Sequence, residues 1–164
     1  FVKPFEDIIK KEGQKSFVKY YKEVSDKDLE KSEKIIICGT SLRDNDFSLS
    51  ENLSFFNWIK NFNRPILGIC GGMQVIGRVF GAKSGKAGEI GYFKENFDRE
   101  FLGLRGEQEV YHLHNNFTCL PANFKEFTLS DIPQAIKHLD KKIFAVLFHP
   151  EVRNKNMIRE FLKI

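Results

Sequence analysis

One stretch constrains this chain more than any other: Ile66-Leu67-Gly68-Ile69-Cys70-Gly71-Gly72-Met73-Gln74. A short apolar run ends in Gly-x-Cys-x-Gly and passes directly into apolar residues at helical spacing, Val75, Ile76 and Val79, with Gly81 as a stop. This is the pattern of a buried strand turning abruptly into a helix. Such a turn brings two backbones together, so positions 68 and 72 have little room for a Cβ. The residue between them is held in a tight, exposed conformation at the first turn of a helix. Backbone N–H groups and the helix dipole there favour a thiolate over a thiol. Cys70 therefore reads as a nucleophile rather than as a small buried hydrophobe.

The remaining apolar runs supply a sheet around that turn. Lys34-Ile35-Ile36-Ile37-Cys38, exiting through Gly39-Thr40-Ser41, and Ile143 to Phe148 are short and continuous, as expected of parallel strands buried on both faces. A polar loop is expected over 39–45. The spacing of Leu49, Leu53, Phe56, Ile59 and Phe62 predicts a helix broken at Arg64-Pro65. Near the N-terminus Phe5, Ile8 and Ile9 predict a helix, interrupted by Gly13 and running toward a strand around Ser16 to Tyr20. Short aromatic and β-branched segments between Glu89 and Phe127 predict several antiparallel strands, and Met157 to Ile164 predicts a closing helix. Together these elements predict an α/β fold in a single domain over 1–164. It is a three-layer sandwich with an open, mostly parallel central sheet of the flavodoxin-like kind, plus a small antiparallel β element. Ligands in such folds sit at the carboxyl ends of the strands.

His149-Pro150-Glu151 follows the last apolar run and so falls at that same end of the sheet. An imidazole there can take the proton of Cys70 and return it to a leaving group, while a carboxylate two residues on fixes the ring's tautomer and stabilises its cation. Cys70, His149 and Glu151 are the candidate catalytic triad. Neither a lone cysteine nor a lone histidine would carry this reading; the combination does.

The composition fits a folded domain: 41% of residues are hydrophobic and 29% charged. The net charge of +4 is spread through mixed runs such as Asp26 to Lys31, without an Arg-rich block or interleaved aromatic and basic residues, so no nucleic-acid partner is expected. Cys38, Cys70 and Cys119 form no CxxC pair, which argues against disulfides and against a zinc site, and points to a reducing cytoplasm. No metal is expected. No apolar run approaches the ~20 residues of a bilayer span, so no membrane partner is expected either.

The two motifs, Gly68 to Gln74 and Phe148-His149-Pro150-Glu151, together resemble those of the class I glutamine amidotransferases, over a stretch from about Ile35 to the C-terminus. The resemblance implies that Cys70 attacks the carboxamide carbon of L-glutamine, that ammonia leaves, and that water releases glutamate from a thioester. It implies an oxyanion hole from the backbone N–H of Gly71 and one from Gly39 or Thr40. It places Gln74, His114, Asn115 and Asn116 around the substrate, with Tyr111 to Asn116 giving backbone contacts. It also implies a synthase of the ATP-pyrophosphatase type as a separate chain that receives the ammonia, with ATP and magnesium expected only there and no cofactor in this domain.

Within the family, Glu89-Ile90-Gly91, the His114 segment and His149-Pro150-Glu151-Val152 are most similar to the amidotransferase subunit of GMP synthase. Three positions depart from that pattern: Met73 stands where a histidine is common, Asn116 where an aspartate is frequent, and Gly39-Thr40-Ser41 in place of a longer glycine-proline loop. The resemblance also implies that the family's first strand is missing before Phe1 or differently made. Two alternatives stay open: a γ-glutamyl or peptide hydrolase of the same fold, and a noncatalytic regulatory module that keeps the shape alone.

Overall fold

A computed structural model of the chain describes residues 2–42 and 51–164. Its centre is a five-stranded sheet in the order β1 (Ile35–Ile37), β2 (Ile66–Ile69), β7 (Ile143–Val146), β6 (Ala135–His138) and β5 (Phe124–Glu126). The first three run parallel, and β6 and β5 are added antiparallel. All four residues of β2 and of β7 are buried, which explains why both read as continuous apolar runs.

Because side chains alternate across a strand, the sheet divides its core in two. Leu67, Ile69, Phe144 and Val146 face one layer, where they meet Phe5 and Ile8 of α1 (Lys3–Lys11) and Met157, Ile158 and Phe161 of α4 (Lys155–Lys163). Ile66, Ile143 and Ala145 face the other, against Met73 and Ile76 of α3 (Gly71–Val79) and Phe56 and Ile59 of a 3-10 helix, Leu53–Lys60. Three layers result, as the sequence predicts. Between them in the chain, α2 (Asp26–Lys31) is started by a capping box in which Ser25 and Asp28 satisfy each other's backbone N–H groups.

Several local expectations are corrected. Ser16 to Tyr20 forms no strand; Phe17, Val18 and Tyr20 are each more than half exposed, and no strand among the described residues pairs with their backbone. Of the helix expected over 49–62, residues 49 and 50 lie outside the described residues, and Leu53–Lys60 forms a 3-10 helix. The expected loop over 39–45 lies only in part among the described residues. The several short strands expected between Glu89 and Phe127 are mostly one long hairpin, β3 (Ser84–Phe101) and β4 (Leu104–Thr118). Its two-residue turn, Leu102-Gly103, has φ of 48° and 81°, the left-handed pair that suits the twist of a hairpin. One end of the hairpin is anchored in the core by Phe97, Phe101, Leu104 and Val110.

No described strand pairs with the outer edge of β1, and a cleft of about 1000 Å³ runs along it, bordered by residues 14–21. No helix among the described residues is long and apolar enough to cross a membrane.

Candidate active site

The site is assembled where β2 and β7 end side by side. The N–H of Cys70 donates to the carbonyl of Val146 at 2.8 Å, tying the end of β2 to the end of β7. The N–H of His149 then donates to the carbonyl of Tyr111 at 2.8 Å, which docks β4 against the same corner. Cys70 itself has φ 49° and ψ −103°, a conformation that L side chains rarely adopt. The glycines beside it make the turn possible. A Cβ on Gly72 would lie 2.1 Å from the carbonyl oxygen of Ile37, and one on Gly68 would lie 2.8 Å from the carbonyl carbon of Gly72. The helix start is thus pressed between β1 and β2, as the Gly-x-Cys-x-Gly pattern requires.

His149 to Val152 is a turn closed by the N–H of Val152 on the carbonyl of His149, at 3.1 Å. With proline as its second residue, the turn folds Glu151 back onto the ring. Glu151 Oε1 lies 2.7 Å from His149 Nδ1, and both residues are buried. The Cys70 side chain lies close enough to the same imidazole to favour its charged form. Since Nδ1 is committed to the carboxylate, Nε2 is the nitrogen that serves the sulfur. A Cβ built on Gly39 would sit 3.1 Å from His149 Cε1 and 3.2 Å from Cys70 Cβ, so the loop after β1 closes over the junction of the two.

Burial disfavours the charged form of His149, but Cys70 and Glu151 outweigh it and the ring's pKa is pushed up to about 9. Burial drives the Cys38 thiol the other way in reactivity, with its pKa raised to about 12, which leaves it protonated and inert at neutral pH. Cys119 is exposed.

Cys70 opens into a cavity of about 20 Å³ whose walls include Thr40, Gly71, Gln74, His114, Asn115 and Asn116. Every pocket position expected from the sequence therefore gathers around the sulfur, with Gly39 just behind it. As the first residue of α3, Gly71 has an N–H without an intrahelical acceptor. Gln74 Nε2 donates to the carbonyl of Asn116 at 3.2 Å, fastening α3 to β4. The carbonyl of Leu113 lies 3.6 Å from Cys70 Sγ. The ring of His114 is engaged by Glu89 at 2.9 Å and by the carbonyl of Ala87 at 3.2 Å. Sequence reasoning misses Glu89 and His112 as site residues. The available signal is the His-x-His spacing on a strand, which puts both rings on one face.

Known proteins share both the sequence pattern and the fold. The family model described as glutamine amidotransferase class-I matches residues 6–163. The chain belongs to that family. It is 36% identical over 115 residues to a GMP synthase (glutamine-hydrolyzing) subunit of Pyrococcus abyssi, covering 63% of this chain and 61% of that one. The corresponding protein of Methanosphaera stadtmanae is 38% identical over 106 residues, covering 58% of this chain and 56% of that one. The matched stretch thus spans about three-fifths of the length of these relatives. Among solved structures, a Thermoplasma acidophilum protein provisionally described as a GMP synthase subunit superposes with a TM-score of 0.89 at 25% identity, over 99% of this chain and 87% of that chain. A glutamine amidotransferase of Thermotoga maritima, at 21% identity and a TM-score of 0.73 over 96% and 74% of the two chains, shares the fold.

Proposed function

We propose that this amidotransferase domain hydrolyses L-glutamine through Cys70, His149 and Glu151 and passes the ammonia to a synthase carried on a separate chain. The observation that carries the reading is the meeting of Cys70, on a strained strand-to-helix turn, with the ring of His149 beside Gly39, and the 2.7 Å contact of that ring with Glu151.

In this mechanism the proton shared by Cys70 Sγ and His149 Nε2 rests on the ring as the sulfur attacks the carboxamide carbon. The developing oxyanion would be held by the N–H of Gly71 and an N–H of the Gly39-Thr40 segment, where preorganised donors stabilise the charge as it develops. His149 then gives its proton to the departing nitrogen, and ammonia leaves a glutamyl thioester on Cys70. Water, deprotonated by the same ring, attacks the thioester. Glutamate departs as the proton returns to the sulfur. Glu151 keeps the proton on Nδ1 and stabilises the imidazolium at each half-reaction.

The relatives described as subunits of glutamine-hydrolyzing GMP synthase support a GMP-forming synthase as the acceptor of the ammonia, with ATP and magnesium used on that partner.

Ammonia release from glutamine by the chain together with its synthase tests the proposal, with γ-glutamyl peptides and glutamine supplied side by side. Release from glutamine is the expected result; hydrolysis of the peptides in preference would favour the peptidase reading, and neither would favour the noncatalytic one. The ring's raised pKa adds a pH signature. The imidazolium needed to protonate the departing nitrogen is present below about 9 and is lost above it, so the rate is expected to fall as pH rises through about 9. In Glu151→Gln that falling limb is expected to shift to lower pH, toward the ordinary histidine range, with the rate reduced about 100-fold at its maximum. A pH–rate profile of both proteins checks this.

A further inference from the structure

Beside the pocket, on the face of the hairpin that holds His112 and His114, one donor atom from each of Glu89, His112 and His114 converges on a common point. His112 Nδ1 lies 3.2 Å from His114 Nε2, and Glu89 Oε2 lies 3.5 Å from the first and 2.9 Å from the second. Strand register produces this triangle. Glu89 is the direct cross-strand partner of His114, and the partner of His112 is Gly91, which has no side chain to intervene. The Glu89 carboxylate therefore reaches both rings.

Proton accounting sharpens the picture. His112 Nε2 faces Glu95 Oε1 at 3.1 Å, and His114 Nδ1 faces the carbonyl of Ala87 at 3.2 Å. A carboxylate and a carbonyl only accept, so those two nitrogens carry the ring protons. What remains at the centre is two imidazole lone pairs and a carboxylate oxygen. Both histidines are almost fully buried, so water cannot screen the arrangement. A proton can satisfy one pair of the three atoms; a divalent cation satisfies all three.

We infer that Glu89, His112 and His114 form a binding site for a divalent transition-metal ion, zinc in preference to magnesium or calcium. Four-coordinate zinc, with bonds of about 2.1 Å to nitrogen and oxygen, separates its ligand atoms by about 3.4 Å, close to the observed triangle. Two imidazoles and one carboxylate suit zinc, whereas magnesium and calcium favour oxygen donors. The surroundings are those of a metal site: each ring's remote N–H is held by an acceptor, and Glu95 is itself engaged by Ser130. A fourth donor is at hand in Gln134, 1% exposed, whose Nε2 donates to Glu89 Oε2 at 2.9 Å. Its Oε1 has no hydrogen-bond partner among the described residues, and turning the amide would present that oxygen where the nitrogen now lies.

The ion would pin β3 to β4 on either side of Leu113, the residue whose carbonyl faces Cys70 Sγ at 3.6 Å. It would stiffen one wall of the pocket without entering the triad. The inference does not depend on glutamine hydrolysis, because binding can be measured without glutamine.

The test is a titration of the demetallated full chain with Co²⁺, followed by displacement with Zn²⁺. One equivalent is expected to bind with the visible absorption of four-coordinate cobalt and no thiolate-to-cobalt charge-transfer band. Glu89→Gln and His112→Gln, checked for folding by circular dichroism, are each expected to weaken binding at least about 100-fold. Glu95→Gln, which touches the ligand but not the ion, is expected to weaken it about 10-fold. Absence of stoichiometric uptake by the wild-type chain would overturn the inference whatever the variants do. So would a thiolate band, which would put the ion on a cysteine, or unchanged affinity in both ligand variants.

Discussion

Cys70→Ala is expected to lower glutamine hydrolysis by at least about 10⁴-fold, to the level of whatever the remaining oxyanion donors contribute over water. The sulfur is the atom that forms the thioester, and no neighbouring group can replace it. Cys38 is held protonated by burial, and Cys119 is an exposed residue at the far end of the hairpin, beyond β4. His149→Ala is expected to fall nearly as far, and the double variant no further than the single ones, because the two residues act as a unit. The fold should tolerate the cysteine change: removing Sγ leaves the turn and its glycines untouched. Steady-state ammonia release, measured with the synthase partner, gives the ratio; a loss below about 10-fold in Cys70→Ala would show that the thiol is not the nucleophile.

Gly72→Ala is expected to be the most damaging small substitution in the chain. The added Cβ would stand 2.1 Å from the carbonyl oxygen of Ile37 and 3.0 Å from its carbon. Those are backbone atoms of a parallel strand whose own pairing with β2 fixes them, so neither side can retreat without opening the sheet. Overpacking against movable side chains costs about 1–3 kcal/mol, and a clash with backbone sits at or above the top of that range, about 3–5 kcal/mol. Denaturant unfolding measures it. By contrast Gly81→Ala, where a Cβ would meet nothing within 4 Å, has only its φ of 84° to overcome and should cost about 1 kcal/mol. Equal losses at the two positions would mean that α3 does not press against β1 as described.

How much of this is legible in the residues follows from what each signal depends on. The Cys70 turn is legible because its cause is local: glycine is required wherever backbones touch, and Gly68 and Gly72 touch each other and Ile37. His149-Pro150-Glu151 is legible for a similar reason, since a proline in a four-residue turn brings the first and third side chains together. The strands Ile35–Ile37, Ile66–Ile69 and Ile143–Val146 are legible because β2 and β7 are covered on both faces and their runs are unbroken.

Elsewhere the deciding term is non-local. Ser16 to Tyr20 has the composition of a strand but no partner to pair with among the described residues, so it stays irregular. Sequence alone divides the hairpin into several short strands because turn-forming residues interrupt its aromatic and β-branched segments, whereas Gly91 and Gly106 lie inside paired strands with positive φ. β6 escapes it too: Ala135-Ile136-Lys137-His138 is too short to show a period, and only its pairing with β7 and β5 makes it a strand. The Glu89, His112 and His114 cluster is hidden for the same reason. Cysteine spacing gives no metal pattern, and the triangle exists only once the cross-strand register is known.

The most direct test of the central claim is covalent labelling with 6-diazo-5-oxonorleucine, a glutamine analogue whose electrophilic carbon takes the place of the carboxamide. The experiment uses a Cys119→Ser background to remove the exposed thiol, with the synthase partner present, and locates the adduct by peptide mass spectrometry. The account predicts one adduct per chain, on Cys70, suppressed by excess glutamine and lost in His149→Ala. A chain that stays unlabelled, or one labelled as fast in His149→Ala as in the parent, would contradict it.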